Sequence, residues 1–252
     1  MSVLDVQNLS VSRRGRAVLR DVSFSMGVGE LVGLIGPNGA GKTTLMRAAL
    51  GLLSCTGQSS LTALPEAARA KHAAWLPQAR EIAWPVSVET VVMLGRIPHL
   101  SSVQNPTETD RAAVDAALAQ MDLSHMRTRA ATHLSGGEQA RVLIARTIAQ
   151  NTPLLMADEP VAGLDPAHQI ATMQSFKALT AQGKSCLVSL HDLGLAARHC
   201  TRILMLDQGQ LVADGPPTEV LAQDRVKAVF GISAWYQDTD QGPVFQPLDV
   251  VR

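Results

Sequence analysis

The period of the hydrophobic positions changes several times along this chain, and each change marks an element. Leu4, Val6, Leu9 and Val11, then Val18, Val22, Phe24 and Met26, alternate with polar neighbours, and Gly15 stands between the two sets. A period of two belongs to half-buried strands, so an antiparallel pair turning at Gly15 is predicted. "ELVGLIG" (30–36) is continuously apolar and closes on glycine, as expected of a strand covered on both faces in a parallel sheet. "AAWLPQ" (73–78), "PLLMAD" (153–158) and "SCLVSLHD" (185–192) repeat that pattern, each ending in polar residues. Helical spacing governs 42–53, 107–121, 166–179 and 193–199, and Thr107 and Asp110 have the spacing of a capping box. Ser135 stands at an N-cap position ahead of an amphipathic run through Val142, Ile144 and Ala145. "RILMLDQGQLVADG" predicts a hairpin turning at Gln208-Gly209, and a helix at 224–230 with weak strands at 233–237 and 244–246 closes the chain. Residues 61–69 give only a weak signal, and no internal repeat is evident.

These elements predict one α/β domain over 1–252: a parallel-sheet core, an N-terminal antiparallel β lobe, a helix-rich lobe over about 82–135 and a C-terminal extension over about 220–252. Composition narrows the partners. Lys plus Arg and Asp plus Glu are 22 each, so no general electrostatic footprint for nucleic acid or anionic lipid is expected. Cys55, Cys186 and Cys200 have neither zinc-ligand nor disulfide-framework spacing, which predicts a reducing compartment. The first residues alternate rather than form an apolar block, so no secretory signal is expected. The stretch nearest to a membrane span, 82–100, is broken by Pro85, Glu89 and Arg96.

The chemistry begins at "GPNGAGKTT": Gly36, Pro37, Asn38, Gly39, Ala40, Gly41, Lys42, Thr43 and Thr44. This matches a full phosphate loop between a buried strand and a helix. Its amides cradle phosphates, Lys42 neutralises the β and γ oxygens, and Thr43 offers a hydroxyl to Mg²⁺. In "LLMADE" a buried strand delivers Asp158 to the sheet edge, where it can hold the magnesium shell, and Glu159 follows facing another direction to polarise a water. A second anion-ready helix start, "LSGGE" at 134–138, lies a hundred residues downstream of the first and needs its own explanation.

"GPNGAGKTT", Gln78 in "LPQ", "LSGGE", "LLMADEP", "GLD" at 163–165 and "SLHD" occur in the order found in the nucleotide-binding subunits of ABC transporters, which the chain resembles over most of its length. That resemblance implies a P-loop NTPase of the ABC type with a RecA-like core, using ATP and Mg²⁺. It implies that two copies pack head to tail, so that Ser135, Gly136, Gly137 and Glu138 of one cover the ATP held by the other. Gln78 resembles the lid-loop glutamine that reaches the metal, Glu159 the catalytic base, His191 the histidine touching the γ-phosphate, and Asp165 the residue joining the two sites. Arg13 stands where the family usually places an aromatic residue on adenine; it either stacks its guanidinium there or is plain solvated surface. The stretch from Lys42 to Gln78 is shorter than usual for the family and lacks a clear strand, so a trimmed β lobe is expected.

"VETVVMLGRIPH" (88–99) resembles a segment of ATPases that serve importers of iron chelates, haem and cobalamin, and the C-terminal strand pair resembles the same group. The implied partners are a polytopic membrane permease, docked at a hydrophobic-rimmed groove near Gln78 and Gly95, and indirectly an extracytoplasmic substrate-binding protein. The implied address is the cytoplasmic face of the inner membrane. An ABC ATPase of another importer or exporter, or a soluble one with no transport role, is the alternative; the absence of heptads, a second ATP site or a basic excess speaks against the soluble class.

Overall fold

The computed structural model describes residues 2–78, 82–100 and 105–251. Strands β1 (Ser2–Arg13) and β2 (Arg16–Gly27) form the antiparallel pair turning at Gly15. β3 (Leu31–Ile35) runs into the glycine loop and α1 (Lys42–Ala49). The helix stops four residues short of the expected 53, because Leu50 caps it and Gly51 enters the left-handed region at φ 73°.

A strand absent from the sequence expectation follows. β4 (Thr56–Ser59) pairs antiparallel with β1, giving a lobe ordered β2-β1-β4. The trimmed lobe is therefore corrected to a three-stranded one. "TGQS" gave no signal because it is short, polar and exposed along most of its length, and its strand character comes from pairing with β1. α2 (Glu66–His72) and β5 (Ala73–Leu76) return the chain to the core.

The helix-rich lobe comprises α3 (Val88–Met93), a 3₁₀ turn over Leu94–His99, and α4 (Glu108–Gln120), and leads into α5 (Gly136–Ala149). The expected capping box of Thr107 with Asp110 forms on α4, and Ser135, expected as an N-cap, forms a full capping box with Glu138 on α5. β6 (Leu154–Ala157), α6 (Pro166–Ala181), β7 (Ser185–Ser189) and α7 (Leu193–His199) complete the α/β alternation. β8 (Arg202–Asp207) and β9 (Gln210–Gly215) make the hairpin at Gln208-Gly209, whose φ angles of 46° and 80° are those a tight two-residue turn demands. α8 (Pro217–Val220), α9 (Gln223–Phe230), β10 (Ile232–Gln237) and β11 (Val244–Val250) form the extension. The last two strands exceed their expected lengths, and Phe245 anchors their hairpin in the core at 7% exposure.

The main sheet is ordered β5-β6-β7-β3-β8-β9, parallel except for β9. β7 therefore lies between the strand that feeds the glycine loop and the strand that ends at Asp158. Side chains of β3 alternate between two apolar layers: Leu31 and Ile35 face the α6–α7 side, Val32 and Leu34 the α1 and β-lobe side. Each such buried aliphatic side chain contributes roughly 1.5–3 kcal/mol, an upper estimate against a compact unfolded chain. The continuously apolar runs are thus ordinary period-two strands whose two faces are both covered.

Within the helix-rich lobe, "GRIPH" is a structural seam. A Cβ on Gly95 would lie 2.1 Å from the Arg146 carbonyl oxygen, so glycine lets the 3₁₀ turn touch the backbone of α5. Arg96, 5% exposed, donates to Asp110 at 2.9 Å and to the Ala149 carbonyl at 2.8 Å, which satisfies a C-terminal carbonyl of α5. His99 lies 2.7 Å from the Gln150 carbonyl oxygen. Thr107 and Arg96 together lower the Asp110 carboxyl from 3.8 to about 2, the threonine hydrogen bonds leading. Gly95 is thus packed inside the lobe, and its neighbours Leu94 and Ile97 carry exposed apolar surface.

Candidate active site

The glycine loop needs glycine where its backbone leaves the space open to L side chains. Gly36 has φ 151°, and a Cβ there would sit 2.2 Å from the Leu206 carbonyl oxygen; Gly41, the N-cap of α1, has φ 104° and would drive a Cβ to 2.7 Å from Leu19. The β8–β9 turn clasps the loop from behind, with the Gly209 N–H donating to the Ala40 carbonyl at 3.2 Å. Because Gly41 supplies no side-chain cap, the first amides of α1 stay directed at the cleft. Lys42, 6% exposed, folds its ammonium onto the Gly36 and Pro37 carbonyls at 2.7 and 3.2 Å. Burial lowers its pKa from the usual lysine value, while the Glu159 and Asp158 carboxylates pull it up.

Across the sheet edge stands the acidic pair. Thr43 donates its hydroxyl to Asp158 Oδ2 at 2.7 Å, joining the glycine loop to the end of β6. Ser189 donates to Asp158 Oδ1 at 2.6 Å and accepts the Glu159 N–H at 2.8 Å. Glu159 adopts a left-handed φ of 48° just past the end of β6. Its carboxylate accepts from Gln78 Nε2 at 2.8 Å and meets His191 Nε2 at 2.5 Å. Three residues separated by up to 113 positions in the chain therefore converge on one cleft. That cleft has a volume of about 310 Å³ and is lined by Val18, Asn38, Gly39, Gly41, Lys42, Thr43, Thr44, Gln78, Glu159 and His191. Gly36, Pro37 and Ala40 lie behind it as its scaffold.

Other expected site residues stand outside that lining. Arg13 is exposed at the end of β1, while Val18 on the next strand reaches the cleft. Asp165 caps α6 by accepting from the His168 N–H at 2.9 Å, and its other oxygen lies 2.6 Å from His168 Nδ1. Ser135 and Gly136 are exposed at the start of α5, with Gly137 and Glu138 half-buried beside them. Ser189 was missed: a serine closing an apolar strand looks like any polar strand end, and only the order of the sheet puts it between Thr43 and Glu159. Thr43 and Asp158 offer hard oxygens, a donor set that suits Mg²⁺ shared with phosphates. No cluster of three His, Cys, Asp or Glu side chains suited to a metal occurs among the described residues.

The sequence profile of the ABC transporter family matches residues 19–162. This chain belongs to that family. It is 43% identical over 246 residues to the hemin import ATP-binding protein of Pseudomonas entomophila strain L48, covering 93% of this chain and 95% of the relative. The cobalamin import ATP-binding protein of Halobacterium salinarum strain R1 is 40% identical over 90% of this chain and 58% of its own length. Among solved structures, an inward-facing metal-chelate type ABC transporter matches with a TM-score of 0.86 at 24% identity over 99% of this chain and 98% of that one. The ATP-binding cassette MJ1267 matches with a TM-score of 0.81 at 25% identity over 91% and 99%. The fold is thus that of a P-loop ABC cassette, and the chain is an ATPase whose nucleotide is ATP. No helix among the described residues of this ABC protein is long and apolar enough to cross a membrane.

Proposed function

We propose that this ABC ATPase powers import of an iron chelate, such as haem or a siderophore complex, or of a cobalamin-like metal complex, through a separate membrane permease. The relatives named for hemin and cobalamin import support the cargo class. The observation that carries the catalytic reading is the Thr43–Asp158 contact of 2.7 Å beside a carboxylate, Glu159, aimed into the same cleft. The loop amides and Lys42 bind the β- and γ-phosphates of ATP. Thr43 and Asp158, with Gln78 reaching in from the lid loop, are the residues that would hold Mg²⁺, which when bound supplies charge neutralisation to the phosphate oxygens. Glu159 orients the attacking water and accepts its proton, and His191 contacts the γ-phosphate. Gln78 and His191 both contact Glu159, which ties the lid loop and the end of β7 to the catalytic carboxylate.

The second helix start belongs to the partner's nucleotide. Ser135, Gly136 and Gly137 of one copy close over the γ-phosphate on the glycine loop of another in a head-to-tail dimer, with Glu138 fixing the cap and Asp165 lying between the two sites. ATP adds contacts that only the closed dimer makes, and hydrolysis removes them, which biases an open–closed equilibrium once per cycle. The permease docks on the outer side of the helix-rich lobe. There Trp84, Leu94 and Ile97 are 75%, 47% and 59% exposed, and a groove of about 350 Å³ lined by Leu50, Leu52, Arg69 and Trp75 lies along α2, which touches the Leu94–His99 turn. The protein then sits at the cytoplasmic face of the inner membrane, and an extracytoplasmic binding protein delivers cargo to the far side.

The catalytic reading is tested by Glu159→Gln. ATP binding is expected to persist, measured by equilibrium binding, while turnover falls by ~100-fold or more; unchanged turnover would remove Glu159 from its role. The cargo is tested by uptake of hemin, of a ferric siderophore complex and of cyanocobalamin in cells lacking this chain and in cells with it restored. Dependence of none of the three uptakes on the chain would refute the import reading.

A further inference from the structure

We propose that Ser189 is a positioning residue for the hydrolytic reaction, acting through both members of the acidic pair. The inference rests on the ATPase reading above and deepens it. Ser189 is the last residue of β7, and β7 lies between β3, which feeds the glycine loop, and β6, which ends at the acidic pair. Its side chain is fully buried, at 0% exposure, and its hydroxyl has two partners of opposite kind. The proton goes to Asp158 Oδ1 at 2.6 Å, and the oxygen accepts the Glu159 N–H at 2.8 Å.

Each bond fixes something the reaction needs. An Asp carboxylate on a strand end rotates about χ2 through a broad, twofold well. With Oδ1 held by Ser189, Oδ2 is the oxygen left facing Thr43, where they meet at 2.7 Å. The hydroxyl pair thus sets the plane of the carboxylate that would share a metal with Thr43. The second bond acts on the backbone. Glu159 has a left-handed φ of 48°, a conformation that a non-glycine residue keeps only when its surroundings hold it. Ser189 supplies one such restraint on the Glu159 amide, at the point where the two adjacent carboxylates leave the strand end. A single hydroxyl therefore keeps the metal-facing acid and the water-facing acid in register. Neither phosphate nor water need touch it.

The test uses the intact chain, with the dissociation constant of a fluorescent ATP analogue measured in excess EDTA and in excess Mg²⁺, together with steady-state turnover. In Ser189→Ala the EDTA constant is expected to stay within about twofold of wild type. The Mg²⁺-dependent gain in affinity and kcat should each fall by about 10-fold or more, as for other groups that orient a metal's ligands. KM for ATP in saturating Mg²⁺ should move far less than kcat. Ser189→Thr, which keeps the hydroxyl, should restore most of the gain, and Ser189→Cys, which keeps the volume but donates poorly, should behave like alanine. A role in folding alone would lower the active fraction without moving the Mg²⁺-dependent gain, and that result would overturn the proposal. So would Cys behaving like wild type. If the wild-type chain itself showed neither Mg²⁺-dependent binding nor turnover, the ATPase reading would fail first, which is a distinguishable outcome.

Discussion

The chain has two helix starts built for anions, and they solve the problem in opposite ways. α1 begins at Gly41 with no side-chain cap and no acidic residue in its first turn, so its amides remain available, with Lys42 and Thr43 beside them. α5 begins with a completed capping box: the Ser135 hydroxyl accepts the Glu138 N–H at 3.3 Å, and the Glu138 carboxylate accepts the Ser135 N–H at 2.7 Å. Two of its donors are already satisfied and a negative charge sits in its first turn, which weakens its hold on a free anion. The first start can bind a polyphosphate by itself. In the proposed dimer the second offers its glycine amides to a phosphate whose charge the first has already neutralised. This difference is the physical reason to place the two starts on opposite sides of one nucleotide, contributed by separate copies.

The sharpest way to break the comparison is to disable one start at a time. Lys42→Ala should abolish nucleotide binding in an equilibrium assay and lower turnover by about 1,000-fold, as removal of a principal charge-stabilising donor does. Gly136→Glu should lower turnover comparably yet leave binding to the single chain within about twofold of wild type, since nothing lies within 4 Å of a Cβ there and the added charge faces outward. If Gly136→Glu lost nucleotide binding in step with turnover, the two starts would serve one chain.

A smaller effect concerns the seam that holds the far end of α5. Asp110→Asn leaves the buried Arg96 guanidinium without its carboxylate, and denaturant unfolding should show a loss of about 3 kcal/mol at neutral pH. The sign with pH follows from the depressed carboxyl, at about 2 against 3.8. Its contribution is fully present above the unfolded value and disappears as pH falls from about 4 toward 2. Wild type and Asp110→Asn should therefore converge in stability across that window, and parallel curves would mean that the charge of Asp110 contributes nothing. The smallest expected effect is at Arg13: replaced by Ala, it should weaken ATP affinity by no more than about fivefold, the range of an exposed guanidinium–base contact, because it is exposed and outside the cleft lining.

Much of the core was legible because its determinants are local. The glycine loop, the acidic pair, the Thr107 capping box and the Ser135 N-cap depend on residues within a few positions of one another, and the buried strands announce themselves as apolar runs. What escaped depends on lateral neighbours. β4 is a strand because β1 lies beside it, and its own residues favour a loop. Arg96 looks like a solvated charge on a helix until the 3₁₀ turn and α4 bring Asp110 beside it. Ser189 gains its partners from the order of β3, β7 and β6, which residue spacing along β7 does not encode. Arg13 sits at a position that favours an exposed hairpin end as readily as a base contact, and the structure places it exposed at the end of β1.

The most direct measurement is sedimentation of Glu159→Gln with Mg²⁺ and ATP, alone and combined with Gly136→Glu. The single variant should bind ATP and run as a dimer, and the double variant should bind ATP as tightly per chain and run as a monomer. A double variant that still dimerised, or a wild-type chain that turned over ATP at full rate while remaining monomeric, would contradict a nucleotide shared between two copies.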